Sequence, residues 1–263
     1  MSTTKKRRLD SAIAAIHERY GPQALRTGAA PSPAATIPHI TTGFPALDAI
    51  TGCQGLPLGE ITLLSGPTTS GKLTLAYKVL ASAQCNRHGA VAYNVALFDL
   101  TRTADPDYLE RCGVALDALL VARPPLKPSA VDLLGDLVRK HQLRAVVVDS
   151  LTEWQANDAV RRHLYASLGR LQSQLRSSQC ALVFLDDPSP PWRRWFYLDA
   201  SGAVRWRAAL HIEMRREQWV DYGGELSGYS ARARLLKSRW VYGLRSAPVE
   251  ILFNGTVKAA GTW

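Results

Sequence analysis

Long hydrophobic runs are missing from this 263-residue chain, and so are closely paired cysteines. No apolar stretch reaches the roughly 18 residues that a membrane-spanning helix needs. The N-terminal Lys5-Lys6-Arg7-Arg8 is not followed by the apolar segment of a secretory signal. These absences lead us to expect a cytoplasmic protein with no membrane partner. The four cysteines, Cys53, Cys85, Cys112 and Cys180, are far apart and form no CxxC pair, which argues against a zinc site or a redox motif. They are expected to be reduced and mostly buried. Acidic residues are the scarcer charge: 22 Asp and Glu against 32 Lys and Arg leave a formal charge of +10, which suits a polyanionic partner without requiring one. With 46% hydrophobic and 21% charged residues the chain is neither disordered nor collagen-like. Its length fits one sizeable domain, or one with a small appendage.

Leu9, Ile13, Ile16 and Tyr20 recur at helical spacing, so residues 8–20 are expected to form an amphipathic helix behind a basic tip, ended by Gly21-Pro22. A stretch rich in Ala, Pro and Ser follows and suits a linker. From residue 40 onward, apolar strand-like runs alternate with helical periods. Strands are expected at Ile61 to Ser65, Val91 to Asp99, Ala145 to Asp149 and Ala181 to Asp186, and helices at 70–84, 105–112, 130–140 and 158–176. That alternation calls for an α/β fold, a mostly parallel central sheet flanked by helices. After Pro188 the pattern changes to strands near 208–214, 232–236 and 249–253, expected to extend the sheet on the C-terminal side as antiparallel partners. The division expected is 1–28 as an oligomerisation helix, 29–39 as a linker and 40–263 as the core domain.

Gly66-Pro67-Thr68-Thr69-Ser70-Gly71-Lys72 lies between an expected strand and an expected helix. This is the spacing of a P-loop, in which backbone N–H groups and a helix N-terminus surround a polyphosphate and the lysine neutralises its terminal oxygens. The next position should carry the hydroxyl that binds magnesium, and here it is Leu73, so that ligand is missing unless Thr74 or water replaces it. Val146-Val147-Val148-Asp149 reads as a buried strand ending in the second acidic motif of such a site, although an aspartate capping the next helix would look the same.

The order of these motifs resembles the RecA recombinase family. The resemblance is carried by Ile40-Thr41-Thr42-Gly43, Leu47-Asp48, Gly55 to Glu60, the P-loop, Asp105-Pro106-Asp107-Tyr108, Gly113-Val114, Val146 to Ser150, and Arg232 to Arg239. It covers nearly the whole chain, to about Asn254, and the family's separate C-terminal domain is not expected here. It implies a RecA-like P-loop fold with ATP or ADP in the pocket, Tyr108 stacking on adenine and Asp105 accepting from its exocyclic amine. It further implies that Lys237 and Arg239 face a neighbouring subunit's phosphates, and that the helix bearing Leu9, Ile13, Ile16 and Tyr20 packs on an adjacent protomer. Homo-oligomers, or co-assembly with a RecA protein, are the partners that follow.

Three departures from the family pattern bear on chemistry. Asp99-Leu100-Thr101 stands where the family has Asp-Ala-Glu, so threonine replaces the glutamate that orients the attacking water. Asp187 stands where the family places a glutamine that senses the terminal phosphate. Leu73 removes the magnesium hydroxyl. Losing a general base costs about 100- to 10,000-fold in rate. No catalytic residue and no metal-ligating set is therefore expected, and magnesium binding is doubtful.

The family's first DNA loop is shortened to Leu151 to Asn157. The second is replaced by Pro188 to Tyr197, which is stiffened by proline and carries Trp192, Arg193, Arg194 and Trp195. Such residues stack bases and pair phosphates, but they also self-pack or dock proteins. A DNA track would add Arg205 and Arg207 and would weaken steeply with salt.

The leading expectation is a RecA-like accessory of DNA repair and recombination with little or no ATP hydrolysis. It would bind single-stranded DNA and a partner such as a repair polymerase or accessory protein, in the manner of the ImuA-like accessories of translesion synthesis, and would be nucleoid-associated. Two alternatives stand beside it. One is an active DNA-stimulated ATPase that recruits Thr74 for magnesium, and the other is a protein-interaction module with a vestigial pocket.

Overall fold

Three apolar runs too short to be helices, Ile61–Ser65, Ala145–Asp149 and Ala181–Asp186, can only bury both of their faces inside a sheet. The computed structural model places them there. It describes residues 2–21, 37–85, 95–140, 143–187, 200–222, 225–253 and 257–258. The chain divides into Met1–Thr36 and Ile37–Trp263. The first unit contains helix α1 (Ser2–Tyr20), which starts earlier than its apolar period because Lys and Arg are good helix formers. On α1, Leu9 and Tyr20 are exposed and Ile13 and Ile16 partly so.

The second unit begins with a two-stranded ribbon, β1 (His39–Ile40) against β2 (Leu56–Pro57), with α2 (Pro45–Thr51) between them. The turn before α2 is held by Asp48, whose Oδ1 accepts from the Thr42 amide at 3.0 Å and from its hydroxyl at 2.7 Å. The elements that follow are β3 (Ile61–Ser65), α3 (Lys72–Gln84), β4 (Val95–Asp99), α4 (Pro106–Arg111), β5 (Leu119–Ala122), α5 (Ser129–Lys140), β6 (Ala145–Asp149), α6 (Leu151–Ala156), α7 (Asp158–Ser178), β7 (Ala181–Asp186) and α8 (Ala200–Arg207). The chain closes with β8 (Leu210–Tyr222), β9 (Glu225–Ser238), β10 (Arg245–Leu252) and β11 (Val257–Lys258).

Nine of these strands form one sheet in the order β11-β10-β9-β8-β3-β7-β6-β4-β5. The six from β8 to β5 run parallel, and β9, β10 and β11 add antiparallel neighbours. The first of the late strands thus joins β3 in parallel, and only its successors pair as the sequence pattern suggested. Residues 91–94 of the strand expected at Val91 to Asp99 lie outside the described residues.

Alternate residues of each central strand enter different layers. Leu64, Leu97, Val147 and Val183 pack with Leu75, Val79 and Leu80 of α3, and with Leu109 beyond it. Ile61, Leu63, Phe98, Val146, Val148 and Phe184 pack with Val131 and Leu134 of α5, Trp154 of α6, and Leu164, Leu168 and Leu171 of α7. Trp154 is fully buried and meets Phe98 and Phe184 edge-on at 6.4 Å. Burying one such large apolar side chain contributes about 1.5–3 kcal/mol, so the two layers fix the strand ends firmly. Of the cysteines, Cys53, Cys112 and Cys180 are buried, Cys85 is exposed, and all four are free thiols.

Candidate functional site

Parallel strands aim their carboxyl ends in one direction, and the crevice beyond those ends is where open α/β sheets hold ligands. Here β3 runs into the glycine-rich loop, β4 ends at Asp99, β6 at Asp149 and β7 at Asp186, with Asp187 one residue beyond. The fold therefore brings residues from four stretches of sequence to one edge.

The loop 66–71 takes left-handed backbone at Gly66 (φ 157°), Thr69 (φ 62°) and Gly71 (φ 88°) before α3 starts at Lys72. Side chains cannot replace hydrogen at the two glycines. A Cβ on Gly66 would meet the Met214 carbonyl and stand 2.7 Å from Ser70 Oγ, and one on Gly71 would collide with Ile251 Cδ1. The loop is closed by Ser70 N–H donating to Pro67 O (3.1 Å) and tied to β7 by Gly66 N–H donating to Asp186 O (3.2 Å). Ser70 Oγ is buried with no hydrogen-bond partner, a donor left for something the loop would enclose. Successive amides in such a loop, at the start of a 13-residue helix, form a cradle for anions.

Lys72 is largely buried. Its Nζ donates to Asp187 Oδ1 at 2.7 Å and to Pro67 O at 3.3 Å. Asp149 is also buried, and burial pushes its carboxyl up to about 6; Lys72 opposes that rise, while the negative charges of Asp99 and Asp187 add to it. Asp99 is fully buried and paired with Arg123 Nε at 2.7 Å, and its other oxygen accepts from the Thr103 amide at 3.0 Å. Thr101 sits between the two acids, its hydroxyl 3.4 Å from Asp99 Oδ1 and 3.4 Å from Asp149 Oδ2. A hydroxyl in that place donates hydrogen bonds but cannot take a proton from water near neutral pH.

Leu73 turns its apolar side chain against the core beside α3. The neighbouring Thr74 is buried, and its hydroxyl is 2.6 Å from the Tyr108 hydroxyl. Among the described residues, no group of three or more His, Cys, Asp or Glu is placed to hold a metal. The side chains present suit a phosphate chain.

Tyr108 is half-buried. Its ring lies 6.0 Å from that of Tyr77, and the Arg111 guanidinium sits 5.7 Å from its centroid. Asp105 caps α4 by accepting from the Asp107 amide at 3.0 Å, whereas the N-cap position of α6 is Ser150 and not Asp149. Lys237 donates to the last carbonyls of α8, Arg205 O (3.0 Å) and Trp206 O (2.6 Å), and Arg239 pairs with Glu60 at 2.6 Å. Both bases that the resemblance assigns to a neighbour's phosphates have partners within this chain. Arg207 donates to Gln172 of α7 at 3.3 Å, and the Nε of half-buried Arg205 is buried without a partner. Trp192, Arg193, Arg194 and Trp195 lie outside the described residues.

Sequence reasoning missed a group contributed by the β8–β9 hairpin. Arg216 Nη1 donates to Thr69 Oγ1 of the loop at 3.3 Å, and its guanidinium stacks 4.3 Å from the centroid of Trp219. Trp219, Tyr229 and Phe253 form one aromatic cluster, with ring centroids 6.0–6.4 Å apart. Arg216 is 147 residues from Thr69, and nothing in the local pattern signals the contact. Arg123 as the counterion of Asp99 was missed for the same reason.

Comparison with known proteins fits this geometry. The family model described as RecA N-terminal domain matches residues 7–186. The chain is 31% identical over 278 residues to Protein RecA of Roseiflexus castenholzii, covering 99% of this chain and 77% of that protein. It is 28% identical over 277 residues to Protein RecA of Methylococcus capsulatus, covering 99% and 78%. Against Protein RecA of Pseudomonas putida the identity is 29% over 271 residues, covering 97% and 74%.

Proposed function

Given that this chain belongs to the RecA family, we propose that it is a nucleotide-binding accessory of DNA repair and recombination that hydrolyses ATP slowly or not at all. The observation that carries this reading is Thr101. It occupies the space between Asp99 and Asp149 where a water-activating carboxylate would have to stand, and its hydroxyl is no base. Leu73 and the engaged hydroxyl of Thr74 point the same way, because neither supplies a magnesium ligand.

Binding is supported separately. Gly66, Ser70, Gly71 and Lys72 would hold the phosphates of ATP or ADP, with the unpartnered Ser70 hydroxyl as one donor. Tyr108 and Asp105 would receive the base, as the resemblance implies. Magnesium, when bound with the nucleotide, would supply charge neutralisation through water. Single-stranded DNA as a partner rests on the family and on the formal charge of +10. Trp192, Arg193, Arg194, Trp195, Arg205 and Arg207 are the proposed contacts. Self-association or co-assembly through α1, and a role beside a translesion polymerase, belong to the same proposal.

The test measures nucleotide binding and phosphate release on one preparation, with and without single-stranded DNA. Binding of ADP or ATP with release at background level is the expected result. Brisk release that Lys72→Ala abolishes would refute the proposal and establish a DNA-stimulated ATPase.

A further inference from the structure

The lysine of an anion cradle is useful to a ligand only if its charge is free, and here it is engaged. Lys72 Nζ is 2.7 Å from Asp187 Oδ1, its side chain is 11% exposed, and the Pro67 carbonyl accepts a second hydrogen bond from it. Asp187 is held in place, since its amide donates to Thr152 Oγ1 of α6 at 3.3 Å and the preceding residue ends β7. Around the crevice Asp99, Asp149 and Asp187 stand against Lys72, Arg123 and Arg216; Arg123 is committed to Asp99, and Arg216 is engaged by Thr69 of the loop and the Trp219 ring, so Lys72 is the cation that Asp187 contacts.

From this geometry we propose that Asp187 acts as a built-in counterion that competes with the terminal phosphate for Lys72, making the pocket selective for a nucleoside diphosphate over the triphosphate. The inference rests on the nucleotide-binding reading above and deepens it. In a P-loop the lysine serves the outermost phosphates of the ligand. A third phosphoryl group at Lys72 must share the ammonium with a carboxylate already in contact with it, in a site where Asp149 contributes further negative charge. A diphosphate reaches Lys72 with its β-phosphate alone and takes its other hydrogen bonds from the loop amides and Ser70, so it sets less negative charge against Asp187 than a triphosphate does. Asp187 is thus a specificity-determining residue, acting by repulsion of what it excludes.

Two measurements test this on the full-length chain. Calorimetric titrations of ADP and of ATP, at one magnesium concentration, compare the protein with its Asp187→Asn variant. ADP is expected to bind at least about tenfold more tightly than ATP, with the ratio collapsing in the variant because ATP tightens. Equal affinities in the unmodified protein, or a ratio that Asp187→Asn leaves unchanged, would overturn the proposal. The second measurement needs no nucleotide: melting temperatures of Lys72→Met, Asp187→Asn and the double variant. Non-additive losses support the pair, and strict additivity overturns it. If neither nucleotide binds either protein, the nucleotide reading falls, and with it the selectivity; the melting cycle then still decides whether Asp187 holds Lys72.

Discussion

Acid titration separates two buried groups that act against each other. His211 of β8 is almost fully buried, with Nε2 2.8 Å from Ser65 Oγ. Burial lowers its imidazole from 6.5 to about 4, helped by the positive charges of Arg205 and Lys237 and opposed by Glu213. A base whose folded value is depressed stabilises the fold above its unfolded value, and that stability is lost as pH falls through 6.5 toward 4. The loss reaches about 3 kcal/mol at pH 4. Asp149 has the opposite sign. Its carboxyl is raised from 3.8 to about 6, so the fold gains stability as pH falls through about 6, by about 2 kcal/mol at pH 4. In the unmodified protein the two contributions nearly cancel. His211→Gln removes one of them and keeps a polar group beside Ser65. Urea unfolding of both proteins at pH 7 and pH 4, followed by tryptophan fluorescence, should show the variant gaining about 3 kcal/mol relative to the parent on acidification. Parallel pH profiles would refute the reasoning, because they would mean that His211 titrates normally inside the fold.

Trp154→Ala should cost about 3–5 kcal/mol in urea unfolding, as expected for emptying a site flanked by Phe98 and Phe184, while Trp154→Phe should cost clearly less. Gly71→Ala forces a side chain into left-handed backbone and against Ile251, so nucleotide affinity should fall about tenfold or more, and calorimetry with ADP reads it directly. Removing residues 1–28 takes away the exposed Leu9 and Tyr20 and should convert a self-associating protein to a monomer in size-exclusion chromatography with light scattering. A monomer both before and after the deletion would refute that role.

The parts of the fold legible in the sequence were those where burial imposes a period. Ile61–Ser65, Ala145–Asp149 and Ala181–Asp186 were found to the residue, because a strand covered on both faces must be apolar throughout. The hairpin of β8 and β9 extends well beyond the expected 208–214 and 232–236. Its outer half pairs Gln218, Val220 and Asp221 with Ser230, Gly228 and Leu226, a run without the regular apolar–polar alternation that reads as a strand. The phosphate loop was legible because its glycines are needed one by one, as Gly66 and Gly71 demonstrate. The Lys72–Asp187 contact was not, although both residues had been singled out. Sequence shows that an aspartate follows β7, but only the register of β7 beside β3 shows that it reaches across to the loop lysine.

Thr101 and Asp187 each lie just past the end of a central strand, and Leu73 lies at the start of α3 beyond the loop that follows β3, so none of the three is a strand residue of the sheet. Scaffold and reactivity are in this sense modular. Under the proposed function, exchanging turnover for grip requires edits at the rim alone and leaves the load of folding untouched. The reverse edit is equally local, so combining Leu73→Thr, Thr101→Glu and Asp187→Gln asks how few side chains govern turnover.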